Sequence, residues 1–272
     1  MSRPRVAVAA SLERLTPLDA LVHLAIPALL VAVYLSPVHY ESLAFRPGVD
    51  GVLESYTSLL GHATLGHLLG NVFGLALSST LSLALLSSVS RRRRYYACFA
   101  TILVLVPLLT ALQWTLLLEV GAIDAPAGRA GVGFSVVTAA FVGLLAVSIA
   151  TYQREALVGA RGPFVGSCGL LALALAVVAV SSGLGWLALF AGATALATLR
   201  DAVGAMRASL REPGGEVAVS LAVVGWCVYA GAAVDLFAVG TGAVRAHVVG
   251  LSLGFALVWA VVGLERVAAT RA

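Results

Sequence analysis

The chain has 272 residues, of which 60% are hydrophobic and only 11% charged, and its mean hydropathy is +1.00. That composition excludes an ordinary soluble domain, and a formal charge of +4 gives no footing for nucleic-acid binding. Every basic residue is Arg, and these fall between apolar runs, where they act as topology signals.

The chain opens with "MSRPRVAVAASLERLTPLD", which is polar and basic. Its "VAVAA" run is shorter than the roughly 7–15 apolar residues of a signal-peptide core, so no cleavage is expected. A membrane crossing takes roughly 20 mostly apolar residues. Spans are predicted at 17–36, 64–88, 95–118, 131–150, 163–182, 184–199, 217–239 and 244–264. The turn "SSGLG" separates the fifth from the sixth. The sixth is short, and a re-entrant course is the alternative for it. Residues 37–63 form the longest connection, and their apolar content predicts partial structure at the membrane surface. The expected fold is thus an all-α polytopic bundle of about eight transmembrane helices, a single domain over residues 1–272.

Arg3, Arg5 and Arg14 precede the first span. Arg91 to Arg94, Arg154 and Arg161, then Arg200, Arg207 and Arg211, and finally Arg266 and Arg271 follow the even-numbered spans. Only Arg46, Arg129 and Arg245 lie in the alternate connections. The positive-inside rule therefore predicts a multi-pass cell-membrane protein with both termini cytoplasmic. Cys98, Cys168 and Cys227 show no metal-ligand spacing and read as small core hydrophobes. No metal or organic cofactor is implied. A channel or transporter would need charged residues or broken helices at mid-membrane, and the spans carry neither.

Three spans carry polar residues at their outer ends. The second opens "GHATLGHLLGN", with His67 and Asn71 one turn apart on one face and His62 just before the helix. The fourth opens "GRAGVGFSVVTAAF", with Ser135 in its first turns after Gly131 and Gly133. The eighth opens "VRAHVVGLSLGF", with His247 ahead of Gly250 and Gly254 at a spacing that admits another helix closely. Polar groups at this depth are costly unless paired or lining a wet cavity. Packed together, they would face one outward-open cavity. Serine is a weak nucleophile until a base takes its proton, and histidine is the usual base. Acyl transfer also needs donors at a developing oxyanion. The Asn71 amide, a His67 ring N–H and the Ser135 backbone N–H are the candidates. No side chain stands out as a triad acid: Asp235 is on the preceding span and Glu265 is at the wrong end. A Ser–His dyad is expected. The alternative for His67 and Asn71 is a structural interhelical pair. His23 and His39 read as interfacial anchors.

These residues resemble the rhomboid family of intramembrane serine proteases. "HATLGHLLGN" fits its HxxxxHxxxN pattern with His62, His67 and Asn71. "GFSV" resembles its GxSG motif with Ser135, and "AHVVGLSLG" fits AHxxGxxxG with His247. The resemblance implies a six-helix core, with 217–239 as the fifth core helix and 163–199 as an inserted hairpin. It implies Ser135 as nucleophile and His247 as general base. Asn71 and His67 fall at the oxyanion positions, with His62 and Gly133 in support. The implied activity is hydrolysis of peptide bonds in or near the transmembrane helices of single-span or other membrane-protein substrates within the lipid bilayer. The chain departs from the pattern in having Val136 for the second Gly of GxSG. It has Ala139 where many members have a Tyr stacked on the base, and it lacks the Trp-Arg pair common in the first outer loop. These departures sustain a second expectation, a catalytically inactive rhomboid-like protein that binds transmembrane helices.

Overall fold

The computed structural model of the chain describes residues 16–120, 133–181, 184–238 and 244–271. Within them the backbone forms nine α-helices and no strand. These are α1 (Pro17–Tyr34), α2 (Val52–Thr57), α3 (Leu65–Ser88), α4 (Arg92–Glu119), α5 (Ser135–Ala156), α6 (Pro163–Ser181), α7 (Gly185–Ser209), α8 (Gly215–Ala238) and α9 (Val244–Arg271). All except α2 are long and apolar enough to cross a membrane, so eight spans are present. The chain is a polytopic all-α membrane bundle. Arg3, Arg5, Arg14, Arg129 and Gly131 lie outside the described residues.

Three predicted spans need correction. The fourth, expected to end at 150, runs to Ala156, and the eighth, expected to end at 264, runs to Arg271. The segment expected at 184–199 runs as a single 25-residue helix to Ser209, so a re-entrant course is not needed. Arg200 and Arg207, read as following this span, lie in its last turns, where charged heads reach water or pair. Arg161, in the connection before α6, pairs with Asp201 of α7 at 2.6 Å.

The bundle is inside-out compared with a soluble protein. On α3, Asn71, Ser78, Ser79 and Ser82 are buried while Leu69, Phe73 and Leu77 are exposed. On α7, Trp186, Leu189 and Phe190 are each more than 70% exposed. Lipid contacts such surfaces at no cost, whereas water would not.

α5 is the axis of the bundle, with every residue from Val136 to Gln153 buried. It packs against α3, α4, α6, α8 and α9, and its contact with α9 is the most extensive. Small residues allow this. A methyl group on Gly143 would come 2.6 Å from the Leu251 carbonyl oxygen and 2.7 Å from the Phe255 nitrogen. Gly250 and Gly254 of α9 press in return on the backbone of Val136 and Ala140. α5 and α9 thus meet backbone to backbone over two turns. α8 packs on α5, α3 and the α6–α7 hairpin.

The "RRRR" run ties several helices together. Arg91 pairs with Glu155 of α5, Arg92 with the buried Asp19 of α1, and Arg94 with Glu265 of α9 at 2.7 Å. Tyr96 also contacts the Asp19 carboxylate. His23 is more than an interfacial anchor. Its Nδ1–H donates to the Asp19 carbonyl at 2.6 Å, and its Nε2 accepts from the buried Tyr95 hydroxyl at 2.7 Å, joining α1 to α4.

The 37–63 connection is partly structured, as expected. Two short 3-10 turns flank the stretch that contains α2. Arg46 donates from its backbone at 2.7 Å and from its guanidinium at 2.7 Å to Asp50, closing "RPGVD" into a turn. That pairing holds the Asp50 carboxyl below the usual carboxylate range. Tyr56 donates to the Val104 carbonyl at 2.6 Å and fixes the loop on α4.

The α5–α9 contact makes a stability prediction. Gly143→Ala should lower the midpoint of thermal unfolding in detergent, because its methyl meets backbone that cannot yield. Overpacking of this kind costs about 1–3 kcal/mol. Gly192→Ala on α7 is the control, since nothing lies within 4 Å of its added methyl group. It should be neutral or slightly stabilising. Equal midpoints for the two variants would refute the backbone contact.

Candidate active site

α3 begins where its sequence provides a cap. The Thr64 hydroxyl accepts the His67 backbone N–H at 3.1 Å. Immediately before it the chain is extended, which turns the His62 ring back over the helix. His62 Nδ1 lies 3.1 Å from the Leu60 carbonyl oxygen, and a carbonyl only accepts. The proton is therefore on Nδ1, and Nε2 accepts the Asn71 amide N–H at 2.9 Å. Both side chains are 4% exposed. His62 was expected to steady the loop, and it also holds the Asn71 amide in place. Burial pushes the His62 imidazole below the ordinary histidine value.

His67 is half-buried, with its ring centroid 5.1 Å from that of His62. Gly133 covers its other side. A methyl group on Gly133 would come 2.5 Å from His67 Cε1. Gly133 also has φ of +119°, a region that L side chains rarely adopt. Its N–H donates to the Ser58 carbonyl at 2.9 Å. Only glycine meets both requirements, which gives the expected supporting residue a physical reason.

The same φ explains a shifted boundary. The fourth span was predicted from residue 131, with Ser135 in its first turns. A residue in the conformation of Gly133 cannot be helical, so α5 starts after it, and Ser135 is its first residue. No side chain caps this end. The first N–H groups of a helix lack intrahelical partners and carry the positive end of its dipole. The α5 N-terminus therefore offers Ser135 together with donors suited to a developing oxyanion.

His247 comes to the same place through α9. Gly250 rests on the Val136 carbonyl, and His247 lies one turn earlier, about 4.5 Å along the axis. Ser135 and His247 therefore belong to one end of the α5–α9 contact. Thr138 was not singled out in the sequence. Its hydroxyl donates to the Asn71 carbonyl at 3.4 Å, and its methyl lies against Gly74, fixing α3 on α5. The signal was its position one turn after Ser135 on the helix.

Glu265 is at the far end of α9, paired with Arg94. The end of α8 reaches His247, with the Leu236 carbonyl oxygen 2.6 Å from His247 Nδ1. His39 stacks on Tyr40 and lines an open cleft of about 320 Å³ that extends to His62. Among the described residues no group of three or more His, Cys, Asp and Glu is arranged to hold a metal ion.

The His62–Asn71 bond makes a pH prediction. Protonating His62 turns Nε2 from an acceptor into a donor and breaks the bond. The folded state therefore resists protonation, and its His62 titrates below the unfolded value near 6.5. Stability from this group is complete above about pH 6.5 and is lost as pH falls toward the lower folded value. Unfolding midpoints of wild type should drop across that window, and His62→Gln should flatten the drop. An unchanged slope in the variant would refute the assignment.

Compared with known proteins, the chain matches no family model, no curated protein and no solved structure.

Proposed function

We propose that this chain is a rhomboid-like intramembrane serine endopeptidase that hydrolyses peptide bonds in or near transmembrane helices of other membrane proteins. The observation that carries the reading is the α5–α9 backbone contact, which puts Ser135 and His247 at one end of one helix pair. The Asn71 amide, held by His62, and the α5 N-terminus support it.

In this reading Ser135 Oγ attacks the scissile carbonyl carbon while His247 takes the Oγ proton. The carbonyl π electrons move onto oxygen. Asn71, His67 and the Ser135 N–H donate to that oxyanion. The intermediate collapses, the C–N bond breaks, and the imidazolium proton goes to the departing amine. Water then attacks the acyl-serine with His247 again as base, releasing the new carboxyl terminus and restoring the Ser135 hydroxyl. The cleft beside His62 gives water a route to this end of the bundle. A substrate helix hides its carbonyls in backbone hydrogen bonds, so it must unwind before attack. Small or helix-breaking residues near its outer end favour that.

The departures from the family pattern have local reasons. Ala139 Cβ lies 3.0 Å from the position a methyl group on Gly250 would take, so a tyrosine there would collide with α9. The Val136 side chain is buried. The competing reading, a catalytically inactive binder of transmembrane helices, rests on these two positions.

A serine-reactive fluorophosphonate should label the wild type and not Ser135→Ala. Ser135→Ala should abolish turnover of a transmembrane substrate yet still co-purify with it. Asn71→Ala should slow turnover with little change in substrate binding. Loss of one oxyanion donor costs on the order of 10²–10³ in rate elsewhere, and less is expected here because donors back one another up. No labelling of wild type, with substrate still retained, would favour the binder.

The proposed orientation places both termini and the "RRRR" run in the cytoplasm and the 37–63 loop outside. In a background lacking Cys98, Cys168 and Cys227, Arg93→Cys and Val49→Cys test it, since both positions are exposed. An impermeant maleimide on intact cells should label position 49 and spare position 93. The reverse pattern inverts the topology.

A further inference from the structure

We propose that the C-terminal turn of α8 completes the catalytic unit, its Leu236 backbone carbonyl orienting His247. This rests on the protease reading above and supplies what a two-residue dyad lacks, a group that holds the base.

The geometry is specific. His247 Nδ1 lies 2.6 Å from the Leu236 oxygen. A carbonyl has no proton to give, so Nδ1 carries one and donates it. The basic nitrogen of the neutral ring is then Nε2, the one that takes the Ser135 proton in the proposed mechanism. In a serine triad a carboxylate fixes this same tautomer. Here a carbonyl does so, and it is available because the last four carbonyls of a helix have no intrahelical partner. α8 ends at Ala238, so Leu236 is among them.

Charge acts in the same sense. The C-terminal end of a helix carries partial negative charge, which favours a neighbouring imidazolium. The Nδ1 proton stays in place throughout. No proton passes to Leu236, and the only transfers are between Ser135 Oγ, His247 Nε2, the leaving amine and the attacking water.

The anchoring of α8 extends this to the inserted hairpin. Leu236 is buried, and one face of α8 is fixed by Tyr229, whose hydroxyl donates to the Leu170 carbonyl of α6 at 2.8 Å. Tyr229 is fully buried. The hairpin thus braces the helix that presents the orienting carbonyl, with Ala139 leaving no aromatic ring on α5 to do so.

The test is ¹⁵N NMR of the full chain labelled at histidine, with the His247 signals identified by their loss in His247→Gln. The neutral ring should carry its proton on Nδ1 with Nε2 unprotonated. A proton on Nε2, or averaging between the two, overturns the orientation. Fluorophosphonate labelling of wild type is scored separately. Its absence overturns the protease reading and the catalytic use of this geometry, while the tautomer still decides whether α8 orients the ring.

Discussion

Two helices that touch backbone to backbone hold the rest of the bundle in register. In lipid there is no hydrophobic force between helices, because the acyl chains are as apolar as leucine. Association depends on close packing, and packing is closest where side chains are absent. Gly143 on α5 and Gly250 and Gly254 on α9 remove them on both sides of one seam. The seam sets the rotation and depth of both helices together. Ser135 precedes it by one residue on α5, and His247 precedes it by one turn on α9. Both therefore sit at one end of that seam.

Around the seam several polar side chains are paired across elements. Asn71 meets His62, Thr138 meets the Asn71 carbonyl, and at the other end His23 meets Tyr95 while Asp19 meets Arg92. A polar group inside a membrane protein is expensive unless satisfied, so each pair fixes a geometry as well as offsetting a cost. The two ends differ in kind. The arginine end is tied by ion pairs between helices. At the opposite end the links between elements are hydrogen bonds between uncharged groups.

Much of this was legible in the sequence, for a definite reason. Lipid admits only backbone that satisfies itself, so long apolar runs must be helices, and five of the eight spans could be bounded within about three residues. Gly250 and Gly254 also announced a close approach. Three things were not legible. The length of α7 was hidden because Arg200 and Arg207 look like a connection and are in fact part of the helix. The central place of α5 was hidden because its apolar content does not distinguish it from helices that face lipid. The partner of His247 was hidden because it is a backbone carbonyl, which every residue possesses.

That last point has a physical logic on the proposed reading. A buried carboxylate beside the base would stabilise the imidazolium strongly, but desolvating an ion near lipid costs several kcal/mol. A helix C-terminus carries only partial charge, so far less desolvation is involved, and its carbonyl is already oriented by the fold. It fixes the tautomer as well as a carboxylate does and adds an attraction that grows as the ring becomes charged. On that reading a helix end does the orienting work of a triad acid. It avoids the one component, an ion buried away from water, that a membrane makes most costly.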